Sequence, residues 1–86
     1  MYAIVRVHFS VKDPLPEVNI TGTDNDKDTL EMKMIEQFAN YIGWDDLADF
    51  FSDCEDIIKE YKENGYFYHY DPEMGDCVDY WTIKEI

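Results

Sequence analysis

Carboxylates are the side chains whose types and spacing in this sequence point most clearly to a chemical role. Between Gly43 and Gly65 six acids recur at intervals of three and four residues, so on one continuous helix they fall within an arc of about 80°. No lysine lies inside that arc, and a strip of one sign attracts a basic surface. The acids of this predicted ridge are Asp45, Asp49, Asp53, Asp56, Glu60 and Glu63.

A second group of carboxylates, Asp24, Asp26 and Asp28, has the spacing of the first three ligands of a calcium loop. However, Thr29 stands where such a loop needs its turn glycine, and Ile35 stands where it needs a bidentate glutamate. We therefore interpret these acids as a polar turn before a helix and as a second patch for a basic partner. We predict no metal and no cofactor, and a calcium-dependent module is the alternative that calorimetry would test.

Side chains for other kinds of catalysis are few. His8 and His69 lie on predicted strands, and Cys54 and Cys77 lack the short spacing that structural zinc sites use. Catalysis by two carboxyl groups needs one of them desolvated in a cleft, whereas a convex helix surface exposes them. We predict that the protein is not an enzyme.

The composition indicates a single domain, residues 1–86, with a net charge of −13. This charge disfavours direct binding to nucleic acid or to an anionic membrane, and it favours basic proteins as partners. The apolar run after Met1 is too short for a signal peptide, so we expect a cytoplasmic protein.

The elements that must position the acids follow from hydrophobic periodicity. Tyr2–Val11 alternates as a strand with one strongly apolar side, which includes Val5 and Val7. Pro14 and Pro16 indicate irregular structure in residues 12–27, with at most a short edge strand at Glu17–Thr21.

Two helices and two strands follow in the sequence. Asp28 and Glu31 resemble a capping box that opens a helix to about Ile42, and residues 43–65 form a second, amphipathic helix. Tyr66–Tyr70 and Cys77–Ile83 form a hairpin whose turn contains Pro72 and Gly75. The predicted fold class is α+β, a small antiparallel sheet of three or four strands with two helices on one face, in the order β-(β)-α-α-β-β.

A small, acidic, aromatic-rich α+β domain resembles the nucleic-acid mimics of phages and mobile elements, including anti-CRISPR and antirestriction proteins. The features that carry this resemblance lie mainly in residues 24–31 and 45–79. It implies an inhibitor that occupies the nucleic-acid site of a nuclease complex or another basic nucleic-acid-binding protein, in the host cytoplasm if a phage encodes it. The alternative is a protein–protein interaction or adaptor module, with a homodimer open, that uses its aromatic sheet or its apolar first helix. In the first helix, a dimer would bury Met32 and Ala39.

Overall fold

The computed structural model describes residues 1–73 and 76–86, so the predicted turn residue Gly75 lies outside the described part. It contains a four-stranded antiparallel sheet and three helices. The strands are β1 (Tyr2–Ser10), β2 (Asp13–Asp24), β3 (Tyr66–Asp71) and β4 (Cys77–Glu85). The helices are α1 (Lys27–Tyr41), α2 (Leu47–Asp53) and α3 (Glu55–Asn64). The predicted fold is therefore wrong in its helix count and its order, because the observed order is β-β-α-α-α-β-β.

The strand order across the sheet is β2-β1-β4-β3. The first and last strands of the chain thus lie side by side at the centre, and β2 and β3 form the edges. β2 is much longer than the predicted strand Glu17–Thr21 and contains both Pro14 and Pro16. Proline is tolerated there because an edge strand needs its N–H groups on one side only.

A β-bulge at Thr21 sets the register of β2 against β1. Ile4 pairs with Gly22, but the next residue of β1, Val5, pairs with Ile20, so Thr21 is the extra residue. Its hydroxyl donates to the side-chain oxygen of Gln37 at 2.7 Å, and its carbonyl accepts from the Gln37 amide at 3.1 Å. The bulge therefore attaches the edge strand to α1.

The start of α1 differs from the predicted capping box. The N-cap is Asp26, whose carboxylate accepts from the backbone N–H of Asp28 at 3.0 Å and from the Thr29 hydroxyl at 2.9 Å. The predicted cap, Asp28, is instead the second residue of the helix. Ala39 is 1% exposed and belongs to the core, so it cannot contribute to a dimer contact on this helix.

The single predicted helix over residues 43–65 is divided at Cys54. The backbone of Cys54 has φ −117° and ψ 42°, outside the helical region, yet its N–H donates to the Phe50 carbonyl at 2.9 Å and its carbonyl accepts from the Ile57 N–H at 3.1 Å. It ends α2 and begins α3 at one residue. The break places Glu55 and Asp56 in a new first turn, where carboxylates are favoured by the helix dipole.

All three helices contribute to a core on one side of the sheet. Phe38 of α1 stacks on Phe67 of β3 at 4.5 Å between ring centroids and meets Trp81 of β4 edge-on at 5.2 Å. Phe50 of α2 and Tyr61 of α3 complete this aromatic centre. The covered side of the sheet is the one that carries Ile4, Phe67 and Trp81, so the strongly apolar side of β1 faces away from the helices.

Candidate functional site

The six acids of the predicted ridge do not share one helix. Asp49 and Asp53 lie on α2, and Asp56, Glu60 and Glu63 lie on α3. Asp45 precedes the helical region, because the next residue, Asp46, is the N-cap of α2. All six side chains are exposed, but the arc of about 80° assumed an unbroken helix and does not apply.

The positions of these acids along α2 and α3 show which carboxylates stabilise a helix and which do not. Asp49 and Asp56 lie in the first turns, where a negative charge stabilises a helix. Glu63 lies in the last turn of α3, where a negative charge opposes the helix dipole. Asp53 lies at the end of α2 and directly before the N-cap of α3, so the two helix dipoles act on it in opposite senses. Helix stability therefore does not account for Glu63.

Two carboxylates of the second predicted patch accept hydrogen bonds from backbone N–H groups. The Asp24 carboxylate accepts from the N–H of Asp26 at 2.8 Å, and the Asp26 carboxylate caps α1. The hydrogen bond from Thr29 and that from the Asp28 N–H hold the pKa of Asp26 below its usual value. Within the described residues, no three His, Cys, Asp or Glu side chains are grouped so that they could hold a metal ion.

Negative charge is nevertheless concentrated on the helical side. Residues 24–63, which include α1, α2 and all but the last residue of α3, hold thirteen acids and four lysines, so they carry −9 of the net −13. Across the described part of the chain, none of the six ridge carboxylates forms an ion pair with a lysine or arginine. This side of the molecule thus presents uncompensated carboxylates to solvent.

A polar network around one buried carboxylate lies between α1 and the centre of the sheet. Asp79 has no exposed surface, although the sequence places it among the acids of the predicted hairpin. One carboxylate oxygen accepts from Arg6 at 3.0 and 3.1 Å and contacts His8 Nδ1 at 2.9 Å. The other accepts from the Tyr41 hydroxyl at 2.7 Å. Asp79 is therefore unavailable to a partner, and it connects β1, β4 and the end of α1.

The electrostatics of this network follow from its contacts. Burial by itself raises the pKa of Asp79, but the hydrogen bonds from Tyr41, His8 and Arg6 outweigh it, so the pKa lies below its usual value. Burial and the bond to Asp79 raise the pKa of Tyr41 to about 12. The Arg6 guanidinium lies 4.8 Å from the centre of the Tyr41 ring and 4.6 Å from that of Trp81, which adds cation–π attraction.

A sequence signal for this network exists in the alternation of the strands. Arg6 and His8 follow Ile4 on one side of β1, and Asp79 is an isolated charge between Val78 and Tyr80. The pairing of Arg6 with Trp81 and of His8 with Asp79 brings them together. The sequence gives the faces of each strand, but it does not give this pairing.

The other side of the sheet, here called the open face, is covered by no helix in the described part of the chain, and the residues at its centre carry no charge. Its residues on β1 and β2 are aliphatic or aromatic, namely Val5, Val7, Phe9, Val18 and Ile20. Its residues on β3 and β4 are mainly tyrosines, namely Tyr66, Tyr68, Tyr70 and Tyr80, together with Val78 and Thr82. Val18 and Ile20 are each 61% exposed, and Tyr68 is 50% exposed. An exposed apolar surface of this extent is typical of an interaction site.

Tyr80 is the centre of the aromatic half of the open face. Its ring stacks on Phe9 at 6.2 Å and meets Tyr66 and Tyr68 edge-on at 5.6 and 5.2 Å. Tyr70 lies at the border of the face, where its hydroxyl donates to Asp76 at 2.6 Å and this bond raises its pKa. The rings order one another and offer a flat surface without unpaired charges.

No family model, curated protein or solved structure gives a significant match to this chain. Among the residues that the structure describes, no helix has the length and apolar character needed to cross a membrane. The two exposed surfaces, one acidic and one apolar, are therefore the features from which a function can be argued.

Proposed function

We propose that this protein is a non-enzymatic inhibitor that binds a basic nucleic-acid-binding protein or nuclease complex through its helical side. The carboxylates would take the place of nucleic-acid phosphates, in the cytoplasm of a host cell if a phage encodes the protein. The observation that carries the proposal is the concentration of −9 charges in residues 24–63, with no ion pair at the ridge acids within the described chain.

Charge density supports this mechanism. Together, α2 and α3 carry six acids and two lysines, hence a net charge of −4 over a summed helix length of about 26 Å, or about one charge per 6 Å. One DNA strand carries one charge per about 3.4 Å of axis. The charge density of the helical side is thus lower than that of a single nucleic-acid strand but of the same order. The acids near the start of α1 bring the two densities closer.

Inhibition by occupancy requires no catalytic group. The carboxylate with the most specific surroundings, Asp79, has both oxygens engaged by Arg6, His8 and Tyr41. Its role in this proposal is to hold α1 on the sheet, so that the acids before and after α1 keep their positions.

The test uses DNA cleavage by an RNA-guided nuclease and by a restriction endonuclease, each titrated with the protein at increasing salt. We expect inhibition that weakens steeply with salt, because binding to a phosphate site depends on counterion release. A variant with Asp53→Asn, Glu60→Gln and Glu63→Gln should lose at least about tenfold in affinity.

The matched control carries Glu17→Gln, Glu73→Gln and Glu85→Gln, which remove the same number of charges outside residues 24–63. We expect less than about a threefold loss for this control. Equal losses in the two variants would reduce the mechanism to net charge alone, and an unchanged affinity in the first variant would refute it.

A second candidate function is an adaptor module whose partner contacts the open face, which is favoured by the exposed tyrosines and aliphatic side chains there. Aromatic side chains provide much of the binding energy at protein interfaces. The same titrations distinguish the two functions, because binding through the open face would be insensitive to salt and to the acid substitutions and would be lost in Tyr68→Lys.

A further inference from the structure

We infer that the open face is a self-association surface, on which a second copy of this chain packs sheet against sheet. This inference does not depend on the inhibitory function proposed above, which uses the opposite side of the molecule. It conflicts with the adaptor function, because a second copy would cover the face that an adaptor's partner needs.

The first argument is the distribution of charge. The chain contains 20 acidic residues, yet the eleven central residues of the open face include none. β1 and β4 each alternate between the two sides, and in both strands the charged side chains Arg6 and Asp79 point to the covered side. Lys84 lies at the end of the open face, opposite Ala3. A surface left to solvent on a protein of net charge −13 would be expected to carry carboxylates.

The second argument identifies the occupant. An uncharged face offers no attraction to a basic partner, and the acids around it repel nucleic acid and anionic membranes. A second copy needs no charge complementarity, because apolar side chains meet apolar side chains. Packed sheets lie about 10 Å apart and a helix layer about 10–12 Å thick lies behind each, so the two acidic sides are about 30 Å apart. The Debye length in physiological salt is about 8 Å, so their repulsion is largely screened.

The third argument is area. Strands of nine residues are about 30 Å long, and four strands span about 19 Å, so with the shorter β3 the face projects about 500 Å². Two such faces give about 1,000 Å², which is where specific interfaces begin, and projecting side chains increase the accessible area further.

The composition of the two halves also fits a symmetric pair. A two-fold axis along the strands, between β1 and β4, places the aliphatic half of one copy over the aromatic half of the other. Val18 and Ile20 would then contact the rings around Tyr80, which is a contact made twice in a dimer.

The test is sedimentation of the purified chain from low micromolar to several hundred micromolar, at physiological and at high salt. We expect a dimer that high salt preserves or strengthens, because salt screens the repulsion between two acidic copies. Ile20→Lys should raise the dissociation constant at least about tenfold, since each substitution places two charges in an apolar interface. Lysine reduces the net negative charge, so a general electrostatic effect would act in the opposite direction.

The matched control is Met32→Lys on α1, because Met32 is 48% exposed and Ile20 is 61% exposed. We expect Met32→Lys to leave the dimer unchanged. Far-UV circular dichroism verifies folding of each variant, and Tyr68→Lys on β3 provides a second probe of the same face. A chain that stays monomeric at the highest concentration, or a dimer that Met32→Lys alone disrupts, would overturn the inference. So would a dimer that both Ile20→Lys and Tyr68→Lys leave intact, because it would form at an edge strand or on the helices.

Discussion

Trp81 and Tyr80 are consecutive residues of β4, and they show how different the two sides of the sheet are. Trp81 is 2% exposed and lies against Phe38 and the Arg6 guanidinium, next to the buried Asp79 network. The ring contacts of Tyr80 include Phe9 and Tyr68, which are themselves partly exposed. Both residues are large and aromatic, but only one of them lies in the core.

The comparison teaches that this short chain folds around one side of its sheet. The covered side contains the aromatic core and the one charged side chain without exposed surface among the described residues. The open face is also apolar, but its side chains stabilise the chain through burial only when something covers them. The stability of the fold therefore depends on the covered side, and substitutions on the open face can test recognition separately.

The largest expected effect is on Trp81. Trp81→Ala should lower the free energy of unfolding by about 4 kcal/mol, because it leaves a cavity beside Phe38 and removes the ring below Arg6. Tyr80→Ala should cost about 1 kcal/mol at concentrations where the chain is monomeric. Urea denaturation of both variants measures the difference, and equal losses would mean that the open face belongs to the folding core.

The next effect concerns the buried carboxylate. Asp79→Asn should cost about 2 kcal/mol, because the partly exposed Arg6 keeps its charge but loses the opposite charge of the carboxylate. Asp53→Asn, which removes an exposed carboxylate with no ion pair, should change the free energy of unfolding by less than about 0.5 kcal/mol. A small loss for Asp79→Asn would show that solvent replaces the carboxylate in the network.

The same variant gives a pH test. The pKa of Asp79 is lower in the folded chain than its usual value of 3.8, so its stabilising contribution is complete above that pH and is lost as the pH falls below it. The stability difference between the wild type and Asp79→Asn should therefore shrink in acid below about pH 4. Since the exposed acids titrate in both proteins, a difference that stays constant down to pH 2 would contradict a lowered pKa.

A smaller effect distinguishes two adjacent acids of the helical side. Asp46 accepts from the N–H of Ala48 at 2.8 Å and caps α2, whereas Asp45 precedes the cap. Asp46→Ala should cost about 1 kcal/mol and Asp45→Ala less than about 0.5 kcal/mol. Thermal denaturation provides the measurement, and the reverse order would place the start of α2 one residue earlier.

The smallest expected effect has the opposite sign. Glu63 lies in the last turn of α3, where its charge opposes the helix dipole, so Glu63→Gln should stabilise the chain by a few tenths of a kcal/mol. If the helical side binds a basic partner, the same substitution should weaken that binding. A destabilised Glu63→Gln variant would show that this carboxylate has a structural role.

The sequence predicts parts of this fold well and others poorly, for identifiable reasons. β1 is observed at Tyr2–Ser10 against a predicted Tyr2–Val11, because strict alternation marks a strand. The break at Cys54 is invisible to the same method, since a one-residue interruption leaves Phe50 and Ile58 at helical spacing. Both are buried in the structure.

The two candidate surfaces also differ in how well the sequence predicts them. The excess of carboxylates in residues 24–63 is a matter of composition and is evident from the sequence. The open face depends on which side of β1 the helices cover, and this is determined by Phe67 and Trp81 on strands far along the chain. Periodicity gives the two sides of a strand, but only tertiary packing decides which of them is buried.

The bulge at Thr21 also determines which side chains of β2 face away from the helices. With an uninterrupted register after Gly22, Val7 would pair with Asn19 and Phe9 with Glu17, so β2 would present an amide and a carboxylate on the open face while Val18 and Ile20 turned toward the helices. The bulge therefore decides which side chains of this edge strand reach the open face.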